Sequence, residues 1–209
     1  MALLNRIAAF SALSLSLAIA APASANLIQN GSFEDDPISA NSWQSFTDIA
    51  GWEANANNER FEIWNNYNGV TAAEGNQFAE LNAHPGSGTA FSIFQEFATV
   101  TNQSYDISFA YRARANNQEK FSFDVISGTN TLGWLLDDHT TNGWSIFSSS
   151  FVAADTTTTI MFTSVNPLTG TVGNFLDDVR VTATVPEPGT LGLLGAGLLG
   201  LMAARRRRA

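Results

Sequence analysis

The chain has 209 residues, 44% of them hydrophobic and 14% charged, with a net charge of −9; that is room for one domain of ordinary size with tails. It contains no cysteine and only two histidines, His84 and His139. Disulfides, thiol nucleophiles and cysteine zinc sites are therefore excluded, and any catalytic triad or multi-histidine metal site would have to use those two residues. Between Asn26 and Thr184, five basic residues stand against 18 acidic ones, a charge of −13; such a surface repels a phosphate backbone and lacks the basic stripe of a nucleic-acid-binding protein.

Residues 1–25 read as a secretory signal peptide, the substrate of a signal peptidase. Arg6 supplies the positive end, Ile7 to Ala21 is an apolar run broken only by serines, and Ala23-Ser24-Ala25 offers small residues at the cleavage positions. An uncleaved anchor is the alternative, but the A-x-A site ends the run.

Residues 26–184 form the exported domain and read as strands. Tyr105, Ile107, Phe109 and Tyr111 alternate with polar or small residues, as do Phe121, Phe123 and Val125, and then Thr158, Ile160 and Phe162. Phe175, Val179 and Val181 are predicted on one face of a final strand. Further strands are expected at 31–34, 61–64, 78–82, 91–97 and 144–152. Asn68-Gly69, Pro85-Gly86, Ser127-Gly128, Asn142-Gly143, Asn166-Pro167 and Gly173-Asn174 supply turns between them. Many short strands at this spacing, with no sustained helical period, predict an all-β fold: an antiparallel sandwich of jelly-roll type.

Residues 185–209 are a separate address. Val185-Pro186-Glu187-Pro188-Gly189 cannot continue a helix or central strand. Gly189 to Ala204 carries no charge, and Arg205, Arg206, Arg207 and Arg208 follow. As a helix, those sixteen residues would reach about 24 Å, a short membrane span with snorkelling arginines, its basic end in the cytoplasm. The Pro186-Glu187-Pro188 motif, the short Gly/Leu-rich span and the arginine cluster together resemble the PEP-CTERM sorting signal of exported proteins in Gram-negative, exopolysaccharide-producing bacteria. The resemblance implies recognition by an exosortase, processing near Pro186-Glu187-Pro188, transient anchoring in the inner membrane through the C-terminal helix, and delivery to the cell surface or extracellular matrix.

The ends of the exported domain carry a second resemblance. Asn26-Leu27-Ile28-Gln29-Asn30-Gly31-Ser32-Phe33-Glu34 opens it, and Leu176-Asp177-Asp178-Val179-Arg180-Val181 closes it. These segments resemble the galactose-binding-like jelly rolls, which include many carbohydrate-binding modules. The resemblance implies one structural calcium ion tying the first strand to the last, with Glu34 and Asp177 at the matching ligand positions and Asp178 and the Glu74-Gly75-Asn76 turn as further candidates. The alternative for Asp177 is a carboxylate that accepts bonds from an arginine or from backbone N–H groups.

All five tryptophans fall in this domain. Sugar faces stack on aromatic rings while amides and acids bond the hydroxyls. Glu62-Ile63-Trp64-Asn65-Asn66-Tyr67-Asn68 combines both features, and Trp134 and Trp144 flank Asp137-Asp138-His139 in the same way. Trp64, Tyr67, Asn68, Trp134 and Trp144 are the expected ligand-binding residues, Trp64 and Tyr67 being placed on an exposed loop; the alternative for each ring is core packing. Trp52 is assigned to the core. Glycoside hydrolysis needs two carboxylates across a sugar, but Asp137-Asp138 and Asp177-Asp178 are adjacent pairs whose side chains diverge in a strand, and no G-x-S-x-G, H-E-x-x-H or P-loop is present. No catalytic residue is assigned. The sequence reads first as an exported, non-catalytic module binding carbohydrate such as exopolysaccharide in a biofilm matrix, second as a purely structural matrix protein, and third as an extracellular hydrolase.

Overall fold

The computed structural model describes residues 25–55, 60–86 and 88–184, with single positions at 197 and 206. The signal peptide and the sorting helix lie outside the described residues. Among the described residues of this 25–184 stretch there is no helix. Eleven strands follow in chain order: β1 Ser42–Phe46, β2 Glu53–Ala54, β3 Phe61–Asn65, β4 Gln77–Glu80, β5 Ser92–Ala98, β6 Ser104–Arg112, β7 Lys120–Ser127, β8 Asn130–Leu136, β9 Ser145–Val152, β10 Thr157–Asn166 and β11 Phe175–Ala183. They form two antiparallel sheets, a six-stranded one ordered β1-β3-β4-β11-β6-β9 and a five-stranded one ordered β2-β5-β10-β7-β8. This is the expected jelly-roll sandwich.

The alternation in the sequence sets the inner faces. Ile107, Phe109 and Tyr111 on β6 meet Phe121, Phe123 and Val125 on β7 and Ile160 and Phe162 on β10, all in one core. Phe109, Phe123 and Phe162 join the sheets at ring separations of 4.8–5.0 Å. Their stacked and edge-on contacts add to the gain from burying large apolar areas.

Two predicted elements differ. Segment 31–34 is a turn, not a strand: Asn30 and Phe33 take φ of 51° and 58°. It nonetheless runs beside β11, through Leu27 N–H to Val181 O and Val179 N–H to Gly31 O, both 2.8 Å. A Cβ at Gly31 would collide with the Val179 carbonyl, so glycine permits the approach. The second difference is on β11, where the register passes from Asp177 opposite Ala110 to Arg180 opposite Ser108. One extra residue is inserted, with Asp178 at φ 49°. This bulge flips the alternation. Leu176, Val179 and Val181 enter the main core, whereas Phe175 and Asp177 face the other way, and Phe175 joins Trp64, Phe78 and Val70 in a second buried cluster. Phe175 and Val179 therefore do not share a face.

That second cluster covers the outer face of the six-stranded sheet. Tyr67, Ala72 and Trp144 pack onto it from loops. An outer sheet face roofed by loops is where the polar cleft lies.

Candidate functional site

The cleft is built from neighbouring strands in register. On β3, Glu62 and Trp64 point to the outer face two residues apart. Trp43 on β1 lies opposite Trp64 and Ser45 opposite Glu62; on β4, Glu80 lies opposite Glu62 and Phe78 opposite Trp64. Arg114, which follows β6, brings its guanidinium over the Trp64 ring, 4.7 Å from the centroid. Trp43, Glu62, Trp64 and Arg114, with Tyr67, Asn68, His84 and Thr171, line a cleft of about 240 Å³.

Its floor is a closed polar network. Trp64 is 2% exposed and donates from Nε1 to Glu62 Oε1 at 2.9 Å. The other Glu62 oxygen accepts the His84 backbone N–H at 2.9 Å. Arg114 Nη1 donates to both Glu80 oxygens at 2.7 and 2.8 Å and to Thr171 O at 2.8 Å, and Gly173 N–H adds a further bond to Glu80 at 2.6 Å. Burial, and then the charge of Glu62, push the Glu80 carboxyl well above the usual carboxylate range, while Arg114 pulls the other way. Two buried carboxylates face one guanidinium, so their like-charge repulsion adds to the cost of ionising Glu80.

The rim is open. Trp43 is 40% exposed and meets the His84 ring edge-on at 5.8 Å. Ser45 Oγ donates to the His84 carbonyl, which fixes that loop against β1. An exposed ring beside convergent donors and acceptors can stack on an apolar ligand face and bond the hydroxyls around it. A larger cleft of about 480 Å³ opens beside β8, lined by Val125, Leu132, Phe151 and the 127–131 hairpin. It holds no ionisable group and no exposed ring, so the smaller polar cleft is the stronger candidate.

A family model described as a protein of unknown function (DUF642) matches residues 26–182, three quarters of the chain. The chain belongs to the DUF642 family. The PEP-CTERM protein-sorting motif matches residues 184–208, which marks the DUF642 protein as exported with a C-terminal sorting signal. No curated protein matches it. Among solved structures, the carbohydrate-binding module TmCBM61, determined in complex with β-1,4-galactotriose, is similar at 15% identity and a TM-score of 0.53, covering 77% of this chain and 100% of that one. The CBM22-1 xylan-binding domain from Paenibacillus barcinonensis Xyn10C is similar at 14% identity and a TM-score of 0.47, covering 80% and 99%. Identities this low speak to the fold alone, and the first likeness carries it.

The DUF642 domain brings three of the five expected ligand-binding residues into the cleft and separates the other two. Trp64, Tyr67 and Asn68 line it, but Trp64 is the floor and not an exposed platform, because β3 extends through it and the 66–76 loop folds back over it. Tyr67 packs edge-on against Trp64 at 5.1 Å. Trp144 lies on the same outer face, against Phe78 at 5.5 Å, and donates to Thr71 O at 2.8 Å. Trp134 belongs to the other sheet. It stacks on Phe123 at 5.5 Å and meets Phe147 at 5.4 Å, so Trp134 and Trp144 do not form one platform. Trp52 is buried as expected and stacks on Phe33 at 5.3 Å. Trp43, Glu80 and Arg114 were not singled out by the sequence. The five residues of β1 carry little alternation, and the partners of Glu80 and Arg114 lie on distant segments.

The expected metal ligands divide as well. Glu34 Oε1 accepts the N–H groups of Asn76 and Gln77, both at 2.6 Å. Asp177 Oδ2 accepts those of Ala73 and Glu74 at 2.7 and 3.0 Å, and its Oδ1 accepts Asp178 N–H at 2.7 Å. Asp178 does not join them. The bulge turns it outward, where it pairs with Arg180 at 2.6 Å. Calcium takes six to eight oxygens, whereas three of the four carboxylate oxygens of Glu34 and Asp177 are already occupied by N–H donors. Among the described residues no three His, Cys, Asp or Glu side chains are placed to share an ion. Calcium at Glu34 and Asp177 rests on the resemblance alone. The two carboxylates instead clasp the 73–77 loop through its backbone N–H groups. Burial pushes Asp177 up to about 7, against the pull of its N–H donors.

Proposed function

We propose that this DUF642 protein is an exported, non-catalytic module that binds a glycan, such as the exopolysaccharide of its producer, in the cleft between Trp43, His84, Tyr67 and Asn68. The observation that carries the reading is the exposed Trp43 ring standing over a rigid polar floor. The Trp43 ring offers one sugar face a stacking surface, while Arg114, Asn68 and Tyr67 line the same cleft with polar side chains. The sandwich fold, shared with TmCBM61, and the sorting motif support the same reading.

Hydrolysis is disfavoured by the state of the two carboxyls. Glu62 accepts bonds at both oxygens, and Glu80 is held by Arg114 and the Gly173 N–H. Neither is free to protonate a leaving group or to attack an anomeric carbon. The purely structural alternative differs in one outcome. Calorimetry and polysaccharide affinity gels against the host's exopolysaccharide should show weak binding, on the order of micromolar to millimolar. Trp43→Ala should abolish it with an unchanged melting curve. Wild-type protein that shows neither heat nor retardation would transfer the lead to the structural matrix role.

A further inference from the structure

Arg114 is held on two sides and open on a third. Its Nη1 donates to both Glu80 oxygens and to Thr171 O, and its guanidinium lies over the Trp64 ring. Among the described residues nothing accepts a bond from its Nε or Nη2, and neither atom is buried. The side chain is 29% exposed and lines the cleft. What it offers a ligand is therefore the Nε–Nη2 edge, two parallel N–H groups at a fixed separation. The contacts with Glu80 and Trp64 hold that edge in place before anything binds, so a ligand does not have to order it.

By shape alone such an edge takes either a carboxylate or two adjacent hydroxyl oxygens. The surroundings choose between them. Glu62 and Glu80 are each 2% exposed, and Glu80 already holds the guanidinium from its Nη1 side. A ligand carboxylate on the free edge would be the third carboxyl group around one cation, above a buried floor where repulsion is weakly screened. The exported domain carries five basic residues against 18 acidic ones, a charge of −13, which repels a polyanion before contact. A pair of hydroxyls accepts from the same two N–H groups and adds no charge. Trp43 lies opposite Trp64 on the neighbouring strand, so the exposed ring and the Arg114 edge both border Trp64.

We infer that the cleft selects an uncharged sugar unit, whose ring face rests on Trp43 and whose two adjacent hydroxyls accept from Arg114 Nε and Nη2. The inference rests on the glycan-binding reading above and adds two things to it. Glycans built of uronic acids are excluded, and Arg114 is the side chain that reads the hydroxyls.

Affinity gels test it, with the host's exopolysaccharide separated by anion exchange into neutral and acidic fractions, and with galactan, xylan, polygalacturonate and alginate as defined probes. The exported protein should be retarded by the neutral fraction and not by the acidic fraction, polygalacturonate or alginate. Calorimetry with the neutral fraction should give an affinity that changes by less than about twofold between low and high salt. Arg114→Lys keeps a charge beside Glu80 and loses the paired edge, so it should weaken binding roughly tenfold or more. That substitution also disturbs the packing on Trp64, so a second readout uses wild type alone. Among the Nε–H signals of Arg60, Arg112, Arg114 and Arg180, that of Arg114 should shift most on titration with the neutral fraction, while Arg180, paired with Asp178, stays fixed. Retardation by the acidic probes, alone or as strong as by the neutral fraction, would overturn the inference and leave glycan binding standing. So would neutral binding with an unmoved Arg114 signal, or an Arg114→Lys protein of wild-type affinity. Retardation by none of the probes would overturn the glycan reading itself, and the inference with it.

Discussion

Truncating Trp64 should unfold this protein far more readily than truncating Trp43, although both rings line the same cleft. Trp64 is buried against Tyr67, Phe175 and Phe78 at ring separations of 5.1, 5.0 and 6.0 Å, and beneath the Arg114 guanidinium. Removing a buried tryptophan costs about 3–5 kcal/mol in transfer and cavity terms. It also strips Glu62 of its indole donor, and a buried carboxylate that loses a partner costs a further ~1–3 kcal/mol. Relaxation of the cavity would recover part of this, so Trp64→Ala is expected to lose about 4–6 kcal/mol, much of the ~5–15 kcal/mol that holds a typical domain. Trp64→Phe keeps most of the packing and loses the bond to Glu62, so it should fall between. Trp43→Ala removes a side chain with 40% exposure and should stay within about 0.5 kcal/mol of wild type. Urea unfolding followed by circular dichroism measures all three. A loss below about 1 kcal/mol for Trp64→Ala would refute the assignment of Trp64 to the floor.

His139 is buried with neither ring nitrogen hydrogen-bonded, its ring edge-on to Tyr111 and Phe121, and burial lowers it from 6.5 to about 4 despite the nearby Asp138 and Asp137. The unfolded chain therefore takes up this proton first, so the stability tied to His139 is full above pH 6.5 and falls by about 3 kcal/mol as the pH drops to 4. His139→Phe should flatten that slope in denaturant titrations at successive pH values; an unchanged slope would locate the acid sensitivity elsewhere. Melting curves in calcium and in chelator are expected to coincide, because N–H donors already occupy Glu34 and Asp177, whereas stabilisation of roughly 3–4 kcal/mol at saturating calcium would place an ion there. Intact mass of the protein from its native host should show loss of residues 1–25 and of the segment beyond Pro186-Glu187-Pro188; a mature species still carrying Arg205 to Arg208 would contradict exosortase processing.

The long strands were legible because burial on one face leaves a period of two in the sequence. β6, β7 and β10 show it without interruption, and their predicted faces are the observed ones. The period failed at β11, where the extra residue at Asp178 leaves Phe175, Val179 and Val181 in apparent phase although they face opposite sides. β8 escaped because an edge strand exposed on most positions carries little alternation, and Trp134 was grouped with Trp144 as a ligand-binding ring for the same reason. In the cleft, the mixed aromatic and amide segment from Glu62 to Asn68 was visible locally. The pairing of Glu80 with Arg114 spans 34 residues, and the approach of Trp43 depends on β1 docking beside β3. Neither contact has a local signature.

The most direct measurement is two-dimensional NMR of the domain, following the indole N–H signals of its five tryptophans during titration with oligosaccharides from the host's exopolysaccharide. Glycan binding in the cleft predicts that the Trp43 signal moves most, that Trp64 follows through the shared network, and that Trp52 and Trp134 in the core stay fixed. A titration in which Trp43 does not move, or in which Trp134 moves instead, would contradict the account.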